Sequence, residues 1–375
     1  MLHPVCDRVN IEYVKKITAS PVSRDLRTGR PQEEARCKLS GSFQIRHSGS
    51  DFCERIQVVS PLVLDRRYQL LKLIRQDDDV ALFQVRDLRH DCLAALKVFL
   101  APDEATLRTY INHLRLIATL SHPNIARTLD SGTIEGESRY CFGSAGGSYV
   151  FYATEYVPGP NLKAAFPPSS LGKPAFLKGL LEAAGQICEA LDYVHRRKLV
   201  HLDIKPENIL LEAPPQSGRV KAKLIDFDLS QRVTTPLGAT VRGTLQFVSP
   251  EVLTDSLITE KSDLYSLGAT LYLVVTGVPP FQFSSKRRLI EQIISGSLKP
   301  PRELNPDVPE ELNRLILKLM ARDPGQRPGS AREVKEILQN LSGEASATYL
   351  ETAPEITKKQ FYEEPGFLGR EQALR

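Results

Sequence analysis

One short segment carries side chains whose types and spacing could do chemistry together. Residues 200–208 read V-H-L-D-I-K-P-E-N, which is the pattern H-x-D-x-K-P-x-N, and Asp226-Phe227 comes 18 residues after Asn208. Hard carboxylate and amide oxygens suit Mg²⁺. Phosphoryl transfer needs an oriented hydroxyl, a held metal ion and neutralised phosphate charge. The residue types of this segment are suited to that reaction.

The elements that must position the segment can be predicted from periodicity and from Pro and Gly punctuation. Before it, short strands are predicted at 68–74, 81–87, 92–100 and 150–157, with one helix at 106–120. Afterwards the chain is mainly helical, and long or amphipathic helices are predicted at 176–197, 262–276, 286–295, 309–320 and 331–341. No internal repeat is present. The segment thus lies between a strand-rich part and a helical part.

This order of motifs and elements resembles the eukaryotic-type Ser/Thr protein kinase domain in its bacterial style, over roughly residues 68–341. The resemblance implies an α+β fold of two lobes, with a small β-rich N-lobe at 68–157 and a larger helical C-lobe at 158–341. It implies that Asp203 accepts the proton of the substrate hydroxyl and that Lys205 contacts the transferred phosphate. Asn208 and Asp226 would hold Mg²⁺, and Asp226 would bridge it to the β- and γ-phosphates.

A second set of residues is implied to hold ATP. Lys97, in the A-x-K pattern of the third predicted strand, resembles the lysine that pairs with the α- and β-phosphates. By position, Thr154 would be the gatekeeper, and the Glu155 carbonyl and the Val157 amide would bond the adenine edge. The adenine faces would be covered by four apolar side chains, which are Ile74, Leu82, Ala95 and Leu210.

The helical part carries groups that resemble the substrate-docking lobe of protein kinases. Gly243-Thr244 and Ser249-Pro250-Glu251 resemble the motifs that close the activation segment. A buried carboxylate needs a cationic partner, so we expect Glu251 to pair with Arg327. Asp263 resembles the aspartate that caps the backbone of the catalytic loop. Small-molecule kinases of related fold usually lack the P-E segment, which disfavours a small-molecule phosphotransferase.

The chain departs from the family pattern where ATP phosphates should bind. The loop that should read G-x-G-x-x-G is residues 75–80, R-Q-D-D-D-V, and has no glycine. Glycine lets backbone amides approach phosphates closely, and the negative charge of Asp77–Asp79 repels an anion. His113 occupies the helix position of a glutamate that normally holds Lys97. A neutral imidazole cannot replace that carboxylate, so Lys97 could pair with Asp226 instead.

Two further departures affect regulation. Asp228 replaces the glycine of D-F-G, which restricts the hinge of this segment. Leu202 replaces the arginine of H-R-D, which removes the usual receptor for a phosphorylated activation loop. We therefore expect activity to be independent of phosphorylation at Thr234, Thr235 and Thr240.

The chain as a whole narrows the function classes. Its net charge of +4 is spread along 375 residues, so no nucleic-acid patch is implied. The six cysteines form no C-x-x-C pair, and neither a signal peptide nor a membrane span is predicted, so we expect a cytoplasmic protein with reduced thiols. Residues 1–60 are expected to be a flexible extension and 342–364 a linker. Residues 365–374 resemble the start of a truncated AAA/STAND ATPase domain, which implies regulatory protein domains as partners.

The sequence supports two functions of different class. The first is a Ser/Thr protein kinase that transfers the γ-phosphate of ATP, with Mg²⁺, to the hydroxyl of a protein substrate. The second is a pseudokinase that keeps the fold and acts by binding, with weak or no transfer. The retained polar groups of residues 203–226 favour the first, and the lost glycines and His113 favour the second.

Overall fold

A computed structural model describes residues 63–352, apart from 65, 77–79, 101–103, 135–148, 216–219, 233–243, 255–257 and 284. The described residues form two compact units. The first consists of residues up to 121 together with 126–156, and the second of 122–125 together with the residues from 157 onward. The first unit is mainly a β-sheet and the second is mainly helical, which confirms the predicted α+β class.

The first unit is built on an antiparallel six-stranded sheet with the strand order β1-β2-β3-β4-β6-β5. Its strands are β1 (Val63–Leu64), β2 (Tyr68–Gln76), β3 (Val80–Asp87), β4 (Cys92–Leu100), β5 (Thr128–Ile134) and β6 (Tyr149–Glu155). The predicted strands correspond to β2, β3, β4 and β6, and their ends differ from the prediction by at most two residues. Strands β1 and β5 were not predicted.

Alternation along β4 sorts its side chains onto two faces of the sheet. Ala94, Leu96 and Val98 are fully buried and belong to the hydrophobic core of the unit. The residues that alternate with them, Ala95, Lys97 and Phe99, point to the opposite face, where the ring of Phe99 lies 4.5 Å from the ring of Tyr110. Tyr110 belongs to α1 (Glu104–Ile117), so this helix covers one end of the second face.

A buried carboxylate ties three strands of the sheet together. Asp87 is fully buried, and Arg67 donates to both of its carboxylate oxygens over 2.9 and 2.8 Å. Arg67 also pairs with Asp130 of β5, which accepts a further hydrogen bond from Tyr68. The Arg67 bond outweighs the cost of burial and holds the pKa of Asp87 well below its usual value. The ends of β2, β3 and β5 are thereby joined by charge-assisted hydrogen bonds.

The second unit contains eight described helices and two short antiparallel strand pairs. The helices are α2 (Leu162–Ala165), α3 (Pro174–His195), α4 (Pro250–Leu253), α5 (Glu260–Thr276), α6 (Lys286–Ser295), α7 (Pro301–Leu304), α8 (Glu310–Leu319) and α9 (Ala331–Thr352). The strands are β7 (Leu199–Val200), β8 (Ile209–Leu211), β9 (Ala222–Leu224) and β10 (Gln231–Arg232), of which β7 pairs with β10 and β8 with β9.

Helix α5 is the central helix of the second unit. Every residue from 262 to 275 is buried, so the helix is enclosed on all sides. Thr259 caps its first turn by accepting a hydrogen bond from the Lys261 amide. Gly277 ends it with φ = 81°, a left-handed conformation that suits glycine, and donates its amide to the Leu273 carbonyl. Because α5 is buried and capped at both ends, it is a rigid support for side chains near its N-terminus.

Helix α9 is longer than predicted. We expected a helix that ends at Leu341 and a linker after it, but the helix continues to Thr352. Most residues after Leu341 are small or polar, and they include Gly343, so the sequence predicted a linker. Helix propagation explains the difference. Adding residues to an existing helix is far easier than nucleating one, so a helix that packs against α3 over its first turns extends through weakly favourable residues.

Candidate active site

The predicted catalytic loop lies between β7 and β8 in the second unit. A 3-10 turn over Pro206–Asn208 leads it into β8, and Leu202 near its start has φ = 64°. A left-handed backbone costs a leucine free energy, so it persists only where the surroundings enforce it. The loop is therefore held in place by bonds from outside itself.

Asp263 provides those bonds from the first turns of α5. Its Oδ2 accepts the amide N–H of His201 and its Oδ1 accepts the amide N–H of Leu202, each over 2.8 Å. Nε2 of His195, at the end of α3, lies 2.8 Å from Oδ2. Burial disfavours the charged carboxylate, but the hydrogen bond with His195, the charge interactions with His195 and His201 and the His201 amide together outweigh it and lower the pKa of Asp263. The expected capping of the loop backbone by Asp263 is confirmed.

His201 joins the catalytic loop to the segment that carries Asp226. Its Nδ1 accepts the Asp203 amide over 3.2 Å, so Nε2 carries the proton and donates to the Ile225 carbonyl over 3.2 Å. Burial lowers the pKa of His201, which keeps the imidazole neutral despite nearby carboxylates. The ring of Phe227 lies 4.5 Å from the imidazole ring. Sequence reasoning gave His201 no role, although its place in the motif was visible.

The three polar residues of the loop meet at one carboxylate oxygen. Oδ2 of Asp203 accepts Nζ of Lys205 over 2.7 Å and Nδ2 of Asn208 over 2.8 Å. The same Nδ2 also donates to the Asp203 carbonyl over 2.8 Å. Among the described residues, Oδ1 of Asp203 takes part in no hydrogen bond, so it is available to a hydroxyl. These bonds fix the orientation of Asp203 and leave one oxygen as a proton acceptor.

Asp226 follows β9, which pairs with β8 directly after the loop. The Ile225 amide donates to the Asn208 carbonyl over 2.9 Å, so the backbone before Asp226 is bonded to the backbone of Asn208. Asp226 itself has φ = 64°. After it, Ser230 donates its amide and its hydroxyl to the Phe227 carbonyl, which closes a tight turn. The two predicted metal ligands are thus carried by neighbouring, hydrogen-bonded backbone.

The donor chemistry of these two residues fits Mg²⁺ bound together with a nucleotide. Because Asn208 donates its amide N–H groups to Asp203, its Oδ1 oxygen is the atom that remains for a metal. The described residues contain no cluster of three or more His, Cys, Asp or Glu side chains that could hold a metal alone. Mg²⁺ is commonly held by one or two protein oxygens plus substrate phosphates, so an amide and a carboxylate oxygen are sufficient.

In the first unit, three of the predicted ATP-contacting residues share one face of the sheet. Leu82 pairs with Lys97 across β3 and β4, and Ala95 pairs with Thr154 across β4 and β6. Register partners point to the same side, and Leu82, Ala95 and Lys97 alternate with the core residues of their strands. Lys97 is only 8% exposed, and its Nζ lies 5.9 Å from the centroid of the Phe99 ring.

The remaining ATP-contacting predictions fall at the ends of elements. Ile74 lies in an irregularity of β2 and is 45% exposed. Glu155 ends β6, where its amide donates to the Arg127 carbonyl and its carboxylate accepts the Arg127 amide. Val157 and Leu210 belong to the second unit, where Val157 is buried and Leu210 is half-buried in β8.

The structure describes only some of the remaining residues named in the sequence analysis. His113 lies on α1 and is half-buried. The acidic stretch Asp77–Asp79 and the threonines 234, 235 and 240 lie outside the described residues, as does Gly243. The N-terminal extension and the tail from 353 onward, with the ATPase-like residues 365–374, also lie outside them.

The predicted pair of Glu251 and Arg327 is confirmed. Two parallel hydrogen bonds of 2.7 and 2.8 Å join the carboxylate to the guanidinium, and the Ser262 hydroxyl adds a third over 2.8 Å. Burial opposes ionisation of Glu251, but the bonds with Arg327 outweigh it and lower its pKa. Arg327 also donates to the carbonyls of Ala321 and Lys261, so the pair anchors α4 to the start of α5 and the end of α8.

Ser249, which stands where the family motif has alanine, is 1% exposed. Its hydroxyl oxygen is buried and has no hydrogen-bond partner among the described residues. A buried hydroxyl without a partner carries a desolvation cost of about 1–3 kcal/mol.

Within the described part of the chain, no helix combines the length and apolar character needed to cross a membrane.

Comparison with known proteins agrees with this geometry. A family model described as "Protein kinase domain" matches residues 80–340. The serine/threonine-protein kinase pkn3 of Myxococcus xanthus is 30% identical over 290 residues, which cover 74% of this chain and 50% of that protein. The serine/threonine-protein kinase PknB of Mycobacterium tuberculosis is 28% identical over 286 residues, which cover 74% of this chain and 43% of that protein.

This chain therefore spans about half the length, or less, of these curated relatives. The family as a whole uses ATP with a divalent metal ion, generally Mg²⁺. The matched region covers well over half of the chain and includes the catalytic loop, the Asp226 segment and the pair of Glu251 and Arg327. The chain belongs to the protein kinase domain family.

Proposed function

We propose that this chain is a Ser/Thr protein kinase that transfers the γ-phosphate of ATP to hydroxyl groups of protein substrates. The observation that carries the proposal is the arrangement around Asp203, whose Oδ2 binds Lys205 and Asn208 while its Oδ1 stays available. Its relatives pkn3 and PknB are named serine/threonine-protein kinases, which supports the same activity.

Each loop residue has a distinct role in this proposal. Asp203 orients the substrate hydroxyl and accepts its proton through Oδ1. Lys205 lies 2.7 Å from the other oxygen, where its ammonium neutralises charge beside the transferred phosphate. A lysine at this position is typical of Ser/Thr rather than tyrosine kinases. Asn208 and Asp226 would hold Mg²⁺, which supplies charge neutralisation at the phosphates when bound.

The nucleotide would be held chiefly by the residues of the sheet face and of the chain that follows it. Lys97 would contact the α- and β-phosphates, and the Glu155 carbonyl and the Val157 amide would bond the adenine edge. Four apolar side chains would cover the base, namely Ile74, Leu82, Ala95 and Leu210. We further propose a kinase domain at 68–341, a cytoplasmic location and regulatory protein domains as partners.

Transfer of labelled γ-phosphate, to the chain itself and to a generic basic protein, tests the proposal. We expect transfer by the wild-type chain and a loss of about 10²–10⁴-fold in Asp203→Asn, because the variant keeps the shape but lacks the proton acceptor. Asp307→Asn, the same change at an exposed position outside the loop, should transfer at the wild-type rate. A folded wild-type chain that binds Mg²⁺-ATP but shows no transfer would overturn the proposal.

Nucleotide binding is tested separately by the change in melting temperature on addition of Mg²⁺-ATP. We expect an increase for the wild-type chain and for Asp203→Asn, and a much smaller one for Lys97→Ala, because Asp203 contacts the hydroxyl whereas Lys97 contacts the nucleotide phosphates. An unchanged melting temperature for all three proteins would show that the sheet face does not bind ATP.

A further inference from the structure

A hydroxyl in the interior of the second unit contacts the backbone of the loop around Asp203. Thr270, on the central helix α5, is fully buried, and its Oγ1 donates to the Ile204 carbonyl over 3.3 Å. Ile204 is also fully buried and stands between Asp203 and Lys205. A buried hydroxyl costs free energy unless it is hydrogen-bonded, so this contact with the loop offsets the cost of placing a threonine there.

The acceptor of Thr270 differs from the usual acceptor of a threonine inside a helix. Such a residue commonly donates to the carbonyl four residues earlier in its own helix. Thr276, the last residue of α5, does so and donates to the Tyr272 carbonyl over 2.7 Å. The acceptor of Thr270 lies 66 residues earlier in the chain. The Thr270 bond therefore joins two parts of the fold rather than stabilising the helix alone.

Three of the polar side chains of α5 lie on one face of the helix, which we call the polar face of α5. Asp263, Ser266 and Thr270 are spaced by three and four residues, so they follow one another along this face over about 10 Å. Asp263 accepts two amides at the start of the loop, and Ser266 donates to the Phe247 carbonyl over 2.7 Å. The polar face of α5 thus holds the start of the loop, its middle and the 3-10 turn Leu245–Phe247.

The Thr270 bond holds one particular peptide unit of the loop. The Ile204 carbonyl belongs to the same planar peptide as the Lys205 amide, so a bond to that oxygen restricts rotation of the plane from which Lys205 departs. Two bonds nearby are internal to the loop, since Asn208 donates its amide to the Lys205 carbonyl over 3.0 Å and its side chain to the Asp203 carbonyl over 2.8 Å. Internal bonds keep the shape of the loop, whereas the Thr270 bond fixes the loop against a buried helix.

We propose that Thr270 is a positioning residue for phosphate transfer, an inference that rests on the kinase activity proposed above. Through the Ile204 carbonyl, Thr270 holds the backbone that carries both charged side chains. Nζ of Lys205 thereby stays 2.7 Å from Oδ2 of Asp203, and Oδ1 stays available to the substrate hydroxyl. Because Thr270 has no exposed surface, it contacts neither nucleotide nor substrate, and its loss acts on kcat rather than on the KM for ATP.

The kinetics of transfer of labelled γ-phosphate test this role. Thr270→Val keeps the shape of the side chain but removes the hydroxyl, and we expect kcat per folded molecule to fall about tenfold, because small misplacements at a reacting centre are costly. The KM for ATP should change less than about twofold. Thr270→Ala also lacks the hydroxyl and should behave like Thr270→Val, whereas Thr270→Ser keeps it and should restore most of kcat. Thr276→Val removes a hydroxyl that makes local bonds in the same helix and should leave kcat unchanged.

Amide hydrogen exchange, measured by mass spectrometry on the full chain without nucleotide, tests the hydrogen bond independently of transfer. Thr270→Val should speed exchange of the amides in residues 201–208 at least about tenfold, because the loop opens locally once this bond is lost. Thr270→Ser and Thr276→Val should exchange there like the wild-type chain.

The outcomes separate this inference from the proposed function. The positioning role is overturned if Thr270→Val keeps the wild-type exchange or the wild-type kcat, if Thr270→Ser has a kcat as low as that of Thr270→Val, or if Thr276→Val is equally impaired. A wild-type chain that transfers no phosphate overturns the proposed function, and with it the role of Thr270 in transfer. In that case faster exchange in Thr270→Val would still establish that the hydrogen bond holds the loop.

Discussion

The loop around Asp203 in the second unit and the residues of the first unit that are expected to bind the ATP phosphates differ in how well they keep the family pattern. In the loop, Asp203, Lys205 and Asn208 are present and bonded to one another, and Asp263 holds the backbone from α5. In the first unit, three aspartates replace a glycine-rich stretch and His113 replaces a glutamate. We therefore expect the positioning of the substrate hydroxyl to be retained and the affinity for nucleotide to be reduced.

The largest effect is expected from the residue that supports the loop. Asp263→Asn removes a buried charge that accepts two amides and contacts His195, so it leaves these donors poorly paired. We expect a loss of about 3–5 kcal/mol in the free energy of unfolding, measured by urea denaturation.

Asp192→Asn is the matched control for this change. Asp192 lies on α3, its side chain is 19% exposed, and it pairs with the exposed side chains of Arg196 and Arg332. We expect a cost of at most about 1 kcal/mol, because the partners are solvated and screened. Similar losses in both variants would contradict the view that Asp263 is the main support of the loop.

The next effect is a dependence of stability on pH that originates in the loop. Burial depresses the pKa of His201 below 6.5, although Asp263, Asp203 and Asp226 oppose the shift. Below pH 6.5 the unfolded chain takes up a proton at this histidine that the folded chain does not. The contribution of neutral His201 to the free energy of unfolding is therefore fully present above that pH and is lost as the solution is acidified. One such proton changes the free energy of unfolding by about 1.4 kcal/mol per pH unit.

The measurement is a series of urea denaturations between pH 5 and pH 7.5 on the wild-type chain and on His201→Asn. The variant lacks the proton site, so its free energy of unfolding should depend less steeply on pH. The pKa of His122 is also lowered by burial, and it contributes to both proteins alike. Identical slopes would show that His201 is protonated to the same extent in the folded and unfolded chains.

A smaller effect is expected on the nucleotide side. Replacing Asp77, Asp78 and Asp79 together by asparagine removes three negative charges near the expected position of the ATP phosphates. We expect the KM for ATP to fall by about three- to tenfold, with little change in kcat, since like charges repel at short range. The reduction should shrink at high salt. An unchanged KM at low salt would mean that this stretch lies away from the nucleotide.

The smallest effect is expected from the activation segment. Leu202, which stands where the family has arginine, packs against an apolar cluster of Val200, Val248, Val252 and Ile258. The loop and the segment after residue 244 are therefore joined by apolar contacts that need no phosphate. Changing Thr234, Thr235 and Thr240 together to alanine should alter the transfer rate less than twofold. A clear increase in the transfer rate on phosphorylation of these threonines would contradict the expectation that activity is independent of that modification.

Local signals explain which elements could be predicted. The sequence predicts α6 at Lys286–Ser295, and the structure has the same bounds, because Ser285 caps the first turn and Gly296 follows the last. Strand β5 escaped prediction because its sequence T-L-D-S-G-T-I combines a glycine with polar residues and shows little alternation. Its stability comes from pairing with β6 across a long stretch of chain, which no local window contains.

Only part of the site could be predicted, because local sequence signals identify residue types but not the contacts between distant residues. The pair of Glu251 and Arg327 spans 76 residues, yet it was expected because a buried carboxylate requires a cation and the motif supplied one. The role of His201 could not be predicted, since its bond to the Ile225 carbonyl depends on where β9 lies. The orientation of Asn208 toward Asp203 likewise depends on the 3-10 turn Pro206–Asn208, in which Asn208 is the last residue.

The bonds of Asp263 also set an order of events during synthesis of the chain. The amides of His201 and Leu202 leave the ribosome about sixty residues before the carboxylate that accepts them, since His201 and Asp263 are 62 residues apart. Until α5 has been synthesised and enclosed, the loop lacks the Asp263 carboxylate as its acceptor, and no contact stabilises the left-handed backbone of Leu202. A nascent chain that stops before α5 therefore carries all of residues 201–208 but not the hydrogen-bonded geometry described here, which arises only after α5 has been synthesised.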